Sequence, residues 1–307
     1  MPDPAEIDPE DAAARRAAGG DNAAGVTWML FSVVTASAMT VAVRELSTGM
    51  DSRMVVLLRA GLTLIAAAPL LALPPLRRAL RFSRPWLHLW RGLLIGVSTH
   101  LGFHAIATLP LATATVLFFT APIFATILSG PVNGERVGPR RWAAVGAGFL
   151  GALIILRPGM AGFEPAMGVA LLSSLLVATA FSLSRGLAEA DGPASAFLSS
   201  VAITTLISLP LAAPVWRLPA DGTAWAVTAV IVATSAARSV GDLQAYRYGE
   251  ASVVGVTSYL RLVLIGAAGW WLFAETPDPP TVLGGTVIVA STLYIARRAA
   301  ARRRGAG

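Results

Sequence analysis

The chain has 307 residues, of which 55% are hydrophobic and only 13% charged, with 24 basic residues against 17 acidic ones. That charged share is about half of what a soluble domain carries, and the mean hydropathy is positive, so lipid is the expected solvent. There is no cysteine and every basic residue is arginine, which excludes disulfides, thiolate chemistry, a Walker A lysine and a lysine Schiff base.

Nucleic acid is not the expected partner despite a pI near 11.0, because the arginines fall in short clusters between apolar runs instead of along one polar face. Residues 1–24 are acidic and Ala-rich and lack the basic start and apolar stretch of a signal peptide. They read as a disordered cytosolic tail. Ten apolar runs follow, at 25–44, 54–73, 86–107, 110–131, 140–157, 165–187, 194–216, 223–246, 250–273 and 280–297. Each has about the 17 to 25 residues that cross a bilayer core. Residues 299–307 form a basic tail.

Arginine placement predicts the orientation, since cytoplasmic loops retain positive charge. With the N-terminus inside, sixteen arginines flank the inner ends of the runs. Only Arg44, Arg53, Arg157 and Arg217 flank the outer ends. Both termini are therefore expected in the cytoplasm, in a bacterial inner membrane.

An internal repeat sets the architecture. A shift of 140 residues lays 133–158 on 273–298, so that Glu135 meets Glu275, Pro139 meets Pro279, and Leu153, Ile155 and Arg157 meet Leu293, Ile295 and Arg297. Upstream, Pro69 meets Pro210 at a shift of 141, and Gly25-Val26 meets Gly168-Val169 at 143. The expected domains are residues 25–158, holding spans one to five, and 164–298, holding spans six to ten. Five spans per half force the second half to insert upside down, an arrangement typical of secondary transporters with a substrate site at the repeat interface. The fold class is all-α integral membrane, ten transmembrane helices as two inverted five-helix repeats.

The stretch "LATATVLFFTAPIFATILSGPVNGERVGPRRWAAVGAGFLGALIILRP", with a proline in span four, Gly-Glu after it and a Gly-rich span five, resembles the end of an EamA repeat. That repeat is the unit of the drug/metabolite transporter superfamily, and the resemblance covers about residues 25 to 297 as two units. It implies ten helices, a central cavity lined mainly by helices 1, 3, 4, 6, 8 and 9, and alternating access by rocking of the halves. Members export amino acids and other small metabolites, and bacterial relatives carry riboflavin, other vitamins or nucleotide-like compounds. The second half departs from the pattern, because Arg261-Leu262 stands where Ala121-Pro122 stands in the first. No proline therefore imposes a break on span nine.

Ionisable groups within a bilayer cost several kcal/mol, so they normally face a cavity or a partner. Those within spans are Arg59, Arg91, His100, His104, Arg238, Asp242 and Arg261. His100 and His104 share one face of span three, and Arg238 and Asp242 one face of span eight, because i and i+4 are helical neighbours. Under the repeat shift His104 meets Gln244 and Gly102 meets Asp242. Arg238 and Asp242 form either a structural ion pair or a site in which Arg238 or Arg261 receives a substrate anion. His100 and His104 line a cavity, serve a structural role or, as a third reading, bind a proton or metal. Arg59 and Arg91 lie near span ends and read as snorkelling side chains. Phe119 and Tyr259 meet under the shift as packing residues or substrate walls. Pro122 is the expected helix break in span four. The spacings Gly92-x3-Gly96 and Gly148-x3-Ala152 allow close helix approach.

No nucleophile elbow, His-Glu-x-x-His or intramembrane aspartate pair is present, so an intramembrane enzyme is disfavoured. The expected function is a secondary transporter exporting amino acids or related zwitterionic or anionic metabolites. The substrate site is expected at His100, His104, Phe119, Arg238, Asp242, Gln244, Tyr259 and Arg261. A vitamin or nucleotide-like metabolite transporter is the alternative, with a metal-ion transporter using His100 and His104 behind it. The partners are a small-molecule metabolite and the lipid bilayer. No cofactor or resident metal is expected, and a homodimer is compatible with this reading.

Overall fold

The computed structural model describes residues 22–71, 74, 80–133, 138–156, 164–249, 254, 255 and 257–304, and the described residues hold helices and no strand. Residues 1–21 of the predicted acidic tail lie outside them, as do Arg77, Arg78, Glu135, Arg136, Arg157 and residues 305–307. The helices are α1 (Asn22–Leu46), α2 (Ser52–Leu71), α3 (Pro85–Thr108), α4 (Leu111–Phe118), α5 (Ala121–Asn133), α6 (Pro139–Leu156), α7 (Pro165–Ala212), α8 (Gly222–Tyr248), α9 (Leu260–Phe273) and α10 (Pro279–Arg304). A 3-10 turn, Ala213–Val215, follows α7. By length and composition, six described helical segments can cross a membrane: Asn22–Leu46, Ser52–Pro69, Leu111–Leu128, Pro165–Leu183, Ala190–Val215 and Gly222–Tyr248. Trp142–Leu156 and Leu260–Phe273 are shorter apolar helices.

Local chemistry explains the boundaries. Prolines open α3, α6, α7 and α10, at the first turn where the missing N–H is no loss. Asp221 caps α8 by accepting from the Ala224 backbone N–H at 2.8 Å. Helix α7 holds predicted spans six and seven in one run, broken at Gly192 with φ 80° and ψ 161°. Glycine alone enters that region freely, and Pro193 after it disfavours a helical conformation there. Two arms result, meeting at the Asp191-Gly192-Pro193 turn.

Predicted span four is also two helices, since Phe119 and Thr120 form a turn between α4 and α5. The expected break is present, with Pro122 in the first turn of α5. Span nine breaks as well, which its lack of proline did not lead us to expect. Ser258 and Tyr259 form a turn before α9, and there the Arg261 N–H reaches back to Ser258 O and Leu262 N–H to Tyr259 O, three residues each. A tightened turn of this kind interrupts a helix without proline, and it falls within a residue of the position equivalent to Phe119–Thr120.

Helix crossings repeat in a simple register. Along α1, Gly25, Ser32 and Met39 touch Gly249, Gly241 and Ser235 of α8. One series rises while the other falls, so the two helices run antiparallel. Between α6 and α10, Gly148 meets Ser291, Gly151 meets Ile288 and Ile155 meets Gly284, again antiparallel. No room for a Cβ exists at Gly284, which lies against the Gly151 carbonyl. The second arm of α7 instead runs parallel to α3, with Gly92 against Ile203 and Gly96 against Ile207. The predicted close approach at Gly92-x3-Gly96 and at Gly148 is present in both places.

One core gathers Met39, Val43, Met54, Val55, Phe103, Ile106, Ile231 and Ile265 from α1, α2, α3, α8 and α9. A second gathers Leu117, Ile123, Ala152, Ile155, Ala170 and Ile288 from α4, α5, α6, α7 and α10. Arg44 sets which helix ends share a side. It donates to the Ala107 carbonyl at 2.6 Å and to Glu275 at 2.9 Å, while Glu275 accepts the Leu111 N–H at 2.7 Å. The last turns of α1, α3 and α9 and the first turn of α4 are thereby tied at one end.

The far end has its own polar knot, which the sequence reading passed over. His88 contacts Asp191 at 3.0 Å and Ser199 at 2.8 Å, and Asp191 accepts the Ser83 N–H. Arg91 is buried and donates to the Ala196 carbonyl and Ser200 hydroxyl, so it does not snorkel as expected. Hydrogen bonds from the Ser83 side chain and backbone and from His88 hold the Asp191 carboxyl down at about 2.

Candidate functional site

Charged side chains converge between α1, α2, α3, α8 and α9. Depth is measured from the end marked by Arg44, which the antiparallel register makes the start of α2 and α8 and the finish of α9. At about 1.5 Å per residue, the Arg59 Cα is about 10 Å in along α2 and that of Arg238 about 12 Å, since Ser235 touches Met39, five residues from Arg44. Arg261 stands about 18 Å from the finish of α9 and reaches back to Thr40. The Arg59 and Arg261 guanidinium groups contact Phe103 and Thr40, each about four residues from that end, and so lie at similar depth.

Each is held differently. Arg238 lies 3.5 Å from Asp242, with both side chains about two-fifths exposed. Asp242 also accepts a short hydrogen bond from Ser32 of α1. Arg261 donates to the Thr40 hydroxyl at 2.9 Å, while its buried Nε has no hydrogen-bond partner among the described residues. Arg59 sits over the Phe103 ring at 5.4 Å, and its Nε is likewise buried and unbonded. This inward position differs from the snorkelling expected from the sequence. Helix α2 is packed against α3, α7 and α8, so the Arg59 position turns to the interior.

The histidines part company. His100 Nε2 contacts the Ser208 hydroxyl at 2.8 Å and its Nδ1 is buried without a described partner, whereas His104 is exposed. Among the described residues no three His, Asp or Glu side chains gather as a metal site. Gln244 follows Asp242 by two residues, about 200° round the helix. It therefore lines a shallow recess with Val240, Leu243, Tyr246 and Arg247, away from the ion pair.

Phe119 and Tyr259 come together at the two breaks. Their rings stack with centroids 4.9 Å apart and planes 24° from parallel, a favourable offset arrangement. The turns at 119–120 and 258–259 thus present aromatic surface at the junction of the two repeats.

Ser32, Thr40 and Phe103 were not singled out by the sequence, although Ser32 had a usable signal. A shift of 141 places it on Ser173, and Ser173 exchanges hydrogen bonds with Ser98 at the matching crossing of α3 with the first arm of α7. The same crossing is thus made with small residues in one place and with Arg238, Asp242 and Ser32 in the other. Close packing there does not require an ion pair.

Comparison with known proteins agrees with this architecture. The chain is 28% identical over 271 residues to an S-adenosylmethionine uptake transporter of Rickettsia prowazekii, covering 88% of this chain and 92% of that one. It is 29% identical to a riboflavin transporter of Vibrio cholerae, with the same shares covered. A pseudopaline exporter of Pseudomonas aeruginosa is 29% identical, over 89% of this chain and 96% of the relative. A solved crystal structure superposes with a TM-score of 0.57 at 19% identity, over 90% of this chain and 98% of that one, and supports the fold. The EamA-like transporter family model matches twice, at residues 23–157 and 165–297. With both repeats matched, the chain belongs to the EamA-like transporter family.

Proposed function

We propose that this protein is a ten-span secondary transporter that exports amino acids or related zwitterionic and anionic metabolites across a bacterial inner membrane. Its two halves are inverted and alternate access to the central cluster, with both termini cytoplasmic. The observation that carries the substrate reading is the charge of that cluster. Among the described residues of the cluster, three arginines, Arg59, Arg238 and Arg261, stand with one carboxylate, Asp242, which pairs with Arg238. Arginine forks receive a carboxylate bidentately, and Asp242 with Ser32 is placed to take an ammonium group. The antiparallel registers of α1 with α8 and of α6 with α10 support inversion of the halves.

A planar vitamin is the second reading, favoured by the stacked Phe119 and Tyr259 rings at the repeat junction. The metal-ion reading gains no support, because His100 already engages Ser208 and His104 is exposed. A thermal-shift screen of purified protein against amino acids, organic acids, vitamins and nucleotides, followed by proteoliposome flux of each hit, separates the readings. Zwitterions and anions should shift melting and show flux. Flux of riboflavin alone would give the second reading, and flux of quaternary ammonium compounds unaffected by Arg238→Ala and Arg261→Ala would refute the first.

A further inference from the structure

Pairing the charges of the cluster leaves a remainder. Asp242 is shared between Arg238 and Ser32, and among the described residues no carboxylate lies within 4.0 Å of Arg59 or Arg261. Arg238 stands near enough to repel both, and Asp242 near enough to attract Arg261. Two half-buried guanidinium groups, each with a buried and unbonded Nε, thus stand with no carboxylate in contact among the described residues. Burying an unpaired charge costs several kcal/mol. Phe103 covers one face of Arg59 and Thr40 occupies one nitrogen of Arg261. The remaining donors match a carboxylate or phosphate edge.

We propose that Arg59 and Arg261 together form a dianion site, selecting small metabolites with two negative charges, a dicarboxylate or a phosphate monoester, over cations such as S-adenosylmethionine. This deepens the transporter reading above and rests on it. The two guanidinium groups lie at similar depth, Arg59 on Phe103 and Arg261 on Thr40, each about four residues from the end marked by Arg44. An anion held there also screens the repulsion from Arg238. Arg59 then acts as a substrate contact that sets specificity, beyond the residues of the ion pair.

The test uses the purified full-length protein, with succinate and glycerol phosphate as dianion probes and S-adenosylmethionine and a neutral amino acid as comparisons. Binding is read by calorimetry, and stability by melting without ligand. At least one dianion should bind, and Arg59→Met and Arg261→Met should each weaken it by about tenfold or more, as loss of a bidentate charged contact implies. Succinate alone binding assigns the carboxylate, and glycerol phosphate alone assigns the phosphate. Arg59→Met retains an aliphatic contact with Phe103 while removing the charge, so without ligand it should melt at or above the wild-type temperature. Arg59→Lys should keep part of the affinity.

The proposal is overturned if neither dianion binds, if Arg59→Met leaves affinity unchanged, or if Arg59→Met lowers melting and Arg59→Lys restores it, the signature of a structural arginine. Amino-acid flux through the wild type with no dianion bound would reject the dianion site and leave the transporter reading standing. Absence of flux for every metabolite in the panel would reject that reading itself.

Discussion

Arg238 and Asp242 are an i, i+4 pair legible in the sequence, but their setting was not. At the matching crossing Ser98, Gly102 and Ser173 pack with no charge at all. An ion pair this exposed is worth about 0–1 kcal/mol, so stability gives little reason for its presence. Asp242→Asn should therefore leave the melting temperature nearly unchanged while reducing flux of a zwitterionic substrate by about tenfold, a charged hydrogen bond being worth about 1.5–3 kcal/mol. Arg59 shows where residue-level reading fails. One turn from a span end, an arginine that snorkels and one that points inward have the same sequence signature, and only the packing of α2 against α3, α7 and α8 separates them. His88 was overlooked for a related reason. Its partners Asp191 and Ser199 are more than a hundred residues away, beyond any local periodicity.

At the scale of helices, apolar runs and punctuation carried most of the information. Pro85, Pro139, Pro165 and Pro279 open helices within a residue of the expected run starts, whereas the Asp221 cap was not read from the sequence. Nor was the break before α9, because it is made by backbone hydrogen bonds at Ser258 and Tyr259 with no proline to announce it. Glycines divide sharply by position. A Cβ at Gly284 would strike the Gly151 carbonyl and Ile155, whereas one at Gly146 meets nothing within 4 Å. Gly284→Val should cost about 1–3 kcal/mol, as overpacking does, and lower melting clearly, with Gly146→Val as the neutral control.

The turn in α7 supplies a pH test. Asp191 is held below its ordinary 3.8, at about 2, so its contacts stabilise the fold fully above the unfolded value and lose that contribution as pH falls through the lower one. Melting of wild type should exceed that of Asp191→Asn near neutrality. The gap should narrow from about pH 5 downward and close only below about pH 2. A gap constant across that range would assign the stabilisation to something other than the ionised carboxylate.

For the whole molecule, the repeat in the sequence and the register in the structure point the same way. A shift near 140 places Phe119 on Tyr259, and the two rings stack. The antiparallel registers of α1 against α8 and of α6 against α10 support the proposed inversion of the halves. Substrate identity was far less legible, because it depends on which charges lack partners, a property of the assembled bundle. We propose that the metabolite held by the arginine cluster also reaches the junction of the halves, where Phe119 stacks on Tyr259, two residues from Arg261. The chain contains no cysteine, so Phe119→Cys places a single thiol there for a direct measurement. In a Phe119→Cys protein that still transports, labelling by a small thiol reagent should be slowed by a saturating concentration of the transported metabolite and unaffected by a non-substrate of similar size. Equal labelling rates with and without the metabolite would contradict the claim.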